Sequence, residues 1–427
     1  MNPGRNKERD AMHKAGRYTA AVLLVLVGGS VIFDKVTGSH LTSELVGWWP
    51  VLFIMLGLEY IGFNMKYGHT DRQLKLDLKG VIFALLISAI VIVSTQTTDF
   101  AKKFGSLDGI SMGDIVQFFG EGRKFDEGVT SIPLPSSVEN VKLTGRNGTM
   151  VLKSGNVNNI EIAVTVHVQM KDEKEAAQIA DASKLEYSVT GDTLDIQALG
   201  KEYIGSIFGR SYPRMDIIVT MPAQQKVNYE LHATNGKIQA AQLPVKQRFS
   251  AQTSNGAIEI ADLDGELRLG TTNGLINSSK TSGTISLKTT NGRVELTDHR
   301  GDAVVGVSNG ELKLAGIAGS VEARATNGAI KIDGKLQKVK VETSNGSIDV
   351  TSGAVEDDWD IKTNNGRIAL KLPSHGDYRV DGNGRKNNIQ SSLPLTIDNK
   401  TIRGTVGSGQ HLIKVESNGS ISIQPSN

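Results

Sequence analysis

The sequence predicts a membrane-anchored all-β protein, with three N-terminal transmembrane helices followed by a β-solenoid. Three observations carry that prediction. Apolar residues concentrate in three runs within the first hundred positions, Asn-Gly pairs recur at a fixed interval through the second half, and no cysteine occurs among 427 residues that include 47 glycines. Without cysteine there are no disulfides, thiolate metal sites or thiol nucleophiles, so stability rests on packing and backbone pairing. A net charge of +2, from 47 basic and 45 acidic residues, offers no bulk field for a nucleic-acid partner.

Residues 1–17 form a basic tail, followed by a transmembrane region at 18–95 with helices expected at about 18–33, 46–63 and 80–95. The tail resembles the start of a signal peptide, but no small-residue cleavage site precedes Asp34-Lys35 and two further apolar runs follow. Orientation follows from Lys and Arg in the flanks. Arg5, Lys7, Arg9, Lys14 and Arg17 precede the first span, only Lys35 follows it, and Lys66, Arg72, Lys75 and Lys79 follow the second. The tail and second loop are therefore expected in the cytoplasm, and everything after about Thr95 outside. Trp48-Trp49-Pro50 fits an outer interface, with two interfacial indoles and a proline at a helix start. Glu59 stands within the second span, four residues from its cytoplasmic end, and is expected to snorkel or pair with Lys66.

Residues 96–137 read as a polar extracytoplasmic spacer. From 138 to 232 the pattern is strand-like but irregular, interrupted by the helical stretch KDEKEAAQIADASKLEY, and is expected to cap the repeats beyond it. From 233 to 425 the chain is periodic. Asn-Gly pairs begin at Asn235, Asn255, Asn273, Asn291, Asn309, Asn327, Asn345 and Asn365, with five successive intervals of eighteen residues from Asn255 to Asn345. Asn383 falls out of phase and Asn418 carries the last pair. Two apolar columns follow each pair, one through Ile258, Ile276, Val294, Leu312 and Ile330, the other through Ile260, Leu296, Leu314 and Ile332. A further pair of columns holds Leu267/Leu269, Ile285/Leu287, Ala303/Val305 and Val339/Val341.

Alternation of this kind suits both an antiparallel meander with Asn-Gly hairpins and a coil that closes every eighteen residues. Burial favours the coil, since a meander would leave one apolar face of a very long sheet uncovered. In a solenoid the Asn side chains form a corner ladder, the preceding Thr or Ser residues stack beside it, and each Gly supplies a left-handed corner.

Two resemblances add to this reading. WWPVLFIMLGLEYIG resembles the transmembrane region shared by LiaI- and LiaF-like proteins of the Gram-positive envelope-stress system. From about Val138 to Ile423 the chain resembles the Toast-rack family, a β-strand-repeat domain of unknown function also labelled "putative adhesin". That likeness rests on MDIIVTMP leading into VNYELHATNGKI, the repeated [ST]-N-G-x-[IVL]-x-[IVL] and the closing VESNGSISI. The resemblances imply a cell-envelope protein that senses or modulates envelope stress, with the lipid bilayer and a membrane sensor kinase as partners. A surface adhesin or glycan-binding module that engages cell-wall glycan is the alternative, and a carbohydrate-active enzyme the third reading.

The residues themselves offer little chemistry. No Gly-rich phosphate loop opens a helix, and the Gly-Gly-x-Gly-x-Asp core of calcium-binding nonapeptide repeats is missing. The eight histidines show no metal-ligand spacing, and Asp298-His299-Arg300 reads as a solvated repeat corner. No catalytic residue, cofactor site or metal site is therefore expected.

Overall fold

The computed structural model describes residues 14–15, 17–37, 55, 59, 75–76, 122–170, 172–205 and 209–426. They belong to two compact units, Met1–Met112 and Gly113–Asn427.

In the first unit, α1 (Arg17–Thr37) covers the first apolar run and exposes Val22, Leu24, Val25, Leu26 and Phe33. Lys14–Ala15 pairs in parallel with Lys75–Leu76, joining the two basic segments that the charge bias assigns to one side. Among the described residues no helix is long and apolar enough to cross a membrane. Glu59 is helical and half-buried; Trp48, Trp49, Pro50, most of the second expected span and all of the third lie outside the described residues.

In the second unit, strand pairing decides between meander and coil. Ile258 pairs in parallel with Ile276, Ile276 with Val294, Val294 with Leu312 and Leu312 with Ile330, each one repeat along. Two such stacks run side by side. Sheet I holds the segment after each Asn-Gly, and sheet II the segment before it, with Phe249, Leu267, Ile285, Ala303, Val321, Val339 and Trp359 in register. Parallel, in-register stacking places like residues over like and buries every inward side chain against the coils above and below. The expected apolar columns are buried throughout.

The inner wall has two further columns that the sequence concealed. Leu243, Leu263, Thr281, His299 and Ile317 form one, and Thr253, Thr271, Thr289, Val307, Ala325, Thr343 and Thr363 the other. His299 is thus fully buried, which corrects the expectation of a solvated corner at Asp298-His299-Arg300. Side-chain size also varies along the axis. Tyr229, Phe249 and Trp359 fill the same sheet II column towards its ends, while Ala303 occupies it in the middle.

Both ends are built by the same device. Strands Asn140–Asn147 and Met150–Gly155 form the coil next to Val227–Asn235 and Ile238–Ala241, although some 88 residues separate Asn147 from Asn235. Between them the chain leaves and lays Thr193–Ala198 and Arg214–Pro222 on the outer side of that coil. Antiparallel strands continue outward, Arg214–Pro222 pairing with Ile160–Val168 and the latter with Arg123–Ile132. A short helix, α2 (Glu173–Asp181), belongs to this excursion, and its N-cap Asp172 accepts the amides of Lys174 and Glu175. Residues 138–232 are therefore a cap only in part, because 140–155 already belong to the repeat stack.

At the far end, Tyr378–Asn383 and Ile389–Ser391 form the outermost coil. The C-terminal strands His411–Ser417 and Ile421–Pro425 return to sit between it and the coil of Trp359–Asn365 and Ile368–Leu372. The out-of-phase Asn383 lies in this outermost coil, paired antiparallel with Thr401.

Candidate functional site: the corner ladder and the sheet II face

At each Asn-Gly corner the Asn Nδ2 donates to the Oδ1 of the preceding corner, from Asn235 through Asn255, Asn273, Asn291, Asn309, Asn327 and Asn345 to Asn365, at 2.8–3.0 Å. The ladder starts one coil earlier than the sequence suggested, at Asn147, whose Oδ1 accepts from Asn235. Each corner glycine N–H donates to the next corner's Asn carbonyl, as Gly310 does to Asn327 at 3.0 Å. The stacking hydroxyl is the Thr two residues before Asn, and not the residue immediately before it. Thr253, Thr271 and Thr363 cap the carbonyls of Gly236, Gly256 and Gly346 at 3.1–3.2 Å.

The glycine requirement also differs from expectation. Among the corner glycines that follow ladder asparagines, only Gly148, Gly292 and Gly310 have positive φ, the last two close to extended backbone. Close approach selects glycine here. A Cβ built on Gly310 would stand 1.6 Å from the Gly292 carbonyl oxygen, and every neighbouring corner has the same clash. The left-handed corner lies elsewhere, at Gln242, Asp262, Lys280 and Asp298, all with φ between 51° and 54°, and at Gly316.

Sheet II turns an alternating set of side chains to solvent. Towards the C-terminal end they form an ionic lattice: Arg324 pairs with Glu322, Lys362 with Glu416 at 3.5 Å and Lys414 with Glu416 at 2.8 Å. Towards the N-terminal end Glu266 is held between Arg248, at 3.2 Å, and Arg268, and their hydrogen bonds lower its pKa. Between these regions the face is nearly uncharged. Gly270, Lys288 and Gly306 occupy successive positions in one outward column. Lys288 is exposed and has no ion-pair partner among the described residues. Unlike the corner glycines, Gly270 and Gly306 are not crowded: a Cβ would meet nothing closer than 3.9 Å at Gly270 and nothing within 4 Å at Gly306. Neither has a positive φ.

The result is a flat floor with two shallow depressions of about 410 Å³ each, both reaching Lys288. One is bordered by Gln252, Ser254, Thr272 and Thr290, the other by Ser286, Val304, Ser308 and Arg324. Hydroxyls, amides and one ammonium on a rigid sheet can hydrogen-bond an extended polar polymer. His232 contacts Glu230 at 2.7 Å near the margin of this floor, where both are solvent-accessible. Nothing in the repeat pattern flagged Gly270 and Gly306, because glycine looked structural throughout.

The family model described as Toastrack DUF4097 matches residues 157–424, well over half of the chain. The chain belongs to the Toastrack DUF4097 family. A search of curated proteins finds no match to this Toastrack chain. Among solved structures it is similar to a "putative adhesin" from Parabacteroides distasonis, at 10% identity over 71% of this chain and 98% of that one, with a TM-score of 0.39. A "putative lipid binding protein" from the same organism matches at 12% identity, 71% and 98% coverage and a TM-score of 0.34. A "putative cell adhesion protein" from Clostridium sporogenes matches at 10% identity, 71% and 100% coverage and a TM-score of 0.17. Likeness at this level carries no functional argument for the Toastrack chain.

Proposed function

We propose that the protein is a non-enzymatic, membrane-anchored module of the cell envelope whose rigid solenoid binds an extracytoplasmic polymer, cell-wall glycan foremost, along sheet II. One observation carries the reading: Gly270 and Gly306 leave side-chain space open in mid-strand, where neither conformation nor crowding asks for glycine. Glycine weakens a strand, and in such a place it marks close approach by a ligand or another backbone. The apolar runs before residue 96 supply the anchor, and the Lys/Arg bias places the solenoid outside. The test is sedimentation of the purified protein with isolated cell walls. Gly270→Trp and Gly306→Trp fill the open floor and are expected to abolish binding without lowering the melting temperature. Binding unchanged in both variants would remove the sheet II face from consideration.

A second reading, regulation of envelope stress through a membrane kinase, is favoured by the resemblance of WWPVLFIMLGLEYIG to LiaI- and LiaF-like segments. The two readings separate on one exchange. Replacing residues 1–95 by an unrelated anchor abolishes a regulator and leaves a binding module active.

A further inference from the structure

We propose that Asp357, Asp358 and His411 form a binding site for a first-row divalent transition ion, zinc foremost, which clamps the reinserted C-terminal coil onto its neighbour. The histidines have no ligand spacing in sequence, yet folding brings His411 to a pair of carboxylates more than fifty residues upstream. One ligand atom from each of the three residues lies within 4.8 Å of the other two, a separation one ion can span. Two carboxylate oxygens and an imidazole nitrogen make a mixed donor set that suits zinc and its neighbours better than calcium or magnesium, which prefer oxygen alone. Water would complete the coordination.

Two independent features support the site. The first is a break in the repeat. The interval from Asn345 to Asn365 is twenty residues, as is that from Asn235 to Asn255, where the five between them are eighteen. The lengthened coil includes the turn that carries Asp357 and Asp358, immediately before Trp359 re-enters the sheet. The second is position. Trp359 pairs with Ile413, so Asp357 and His411 stand two residues before that pair on their respective chains, at the seam where the C-terminal segment is inserted. The seam already orders the donors. Asp358 Oδ1 accepts the Leu412 N–H at 2.7 Å, Asp357 Oδ1 accepts the Asp358 N–H at 2.7 Å, and the His411 N–H donates to the Asp377 carbonyl at 3.0 Å. Each carboxylate keeps a second oxygen, and the His411 ring is only half-buried, so an ion can reach all three.

The experiment uses the full-length chain, stripped with a chelator and titrated with zinc chloride against a chromophoric chelator, with hydrogen exchange read on the apo and zinc-loaded forms. One site dependent on His411 is expected, at least tenfold weaker in His411→Gln and in Asp357→Asn and unchanged in His375→Gln. Zinc should slow exchange of the 411–417 amides at least tenfold in the parent protein and leave it unaltered in His411→Gln. Asp357→Asn keeps the acceptor for the Asp358 amide, so it reads the ligand separately from the fold. Zinc affinity equal in the parent and both variants would overturn the site. Binding with no change in 411–417 exchange would overturn the clamp.

Discussion

The solenoid turns at two kinds of corner, and they obey opposite rules. At the Asn-Gly corner the residue types are fixed in every coil, yet the backbone is mostly not left-handed. At the Gln242–Asp262–Lys280–Asp298–Gly316 corner the backbone is left-handed in five successive coils, yet the residue type varies freely. The difference is what lies above and below. Stacked corner glycines approach each other backbone to backbone, where a side chain has no room. The left-handed corner points its side chains outward, so the chain tolerates a local cost of roughly 1–2 kcal/mol per non-glycine residue. In a stacked fold, contact between repeats constrains sequence more strongly than conformation within one.

The largest expected effect breaks the crowded corner. Gly310→Val forces a Cβ into the Gly292 carbonyl, and denaturant melts of residues 113–427 should show a loss of more than about 3 kcal/mol. A loss below about 1 kcal/mol would mean that the corners can part, and the contrast would fail. Next comes the inner wall beside that corner. Leu312→Ala and Leu314→Ala are each expected to cost about 2–5 kcal/mol through cavities, whereas Glu311→Ala and Lys313→Ala, which face outward, stay within about 0.5 kcal/mol. Equal costs for all four would contradict the inward and outward assignment.

A smaller effect tests the polar segment of the inner wall. His299 is fully buried, with Nδ1 3.0 Å from Thr281 Oγ1 and Nε2 without a hydrogen-bond partner. Burial pushes its pKa below the ordinary 6.5. The unfolded chain then binds the proton more readily than the fold does. Stability is complete above about pH 6.5 and falls as pH drops from there towards the folded value, by up to about 1.4 kcal/mol per pH unit. His299→Leu should remove that slope between pH 6.5 and 5, and an unchanged slope would assign it to other groups. The smallest effect concerns the permissive corner. Lys280→Gly relieves a left-handed lysine but frees the unfolded chain, so a net stabilisation of about 0.5 kcal/mol is expected in the same melts.

The regular part of this fold was legible because its signals repeat. Eighteen-residue spacing, Ile258 over Ile276 over Val294, and the recurrent Asn-Gly all announce one coil many times over. The column of Leu263, Thr281, His299 and Ile317 was not legible, because aliphatic, hydroxyl and imidazole side chains share it and only stacking reveals the common direction. Asn147 escaped for another reason: its partner Asn235 is far along the chain, so no interval points to it. The same distance hid the meeting of Asp357 with His411. Gly270 and Gly306 went unflagged, since open and crowded glycines look identical in sequence.

The interleaved C-terminus has a mechanical consequence. In a simple stack the last coil has one neighbour, and a pull on the chain end peels it away one hydrogen bond at a time. Here Ile421–Pro425 pairs with Ile368–Leu372 on one side, while its leading residues, Ile421–Ile423, pair with Ile389–Ser391 on the other. Tension on the chain end therefore loads two flanking strands together, so their bonds share the force and the end of the array resists unravelling.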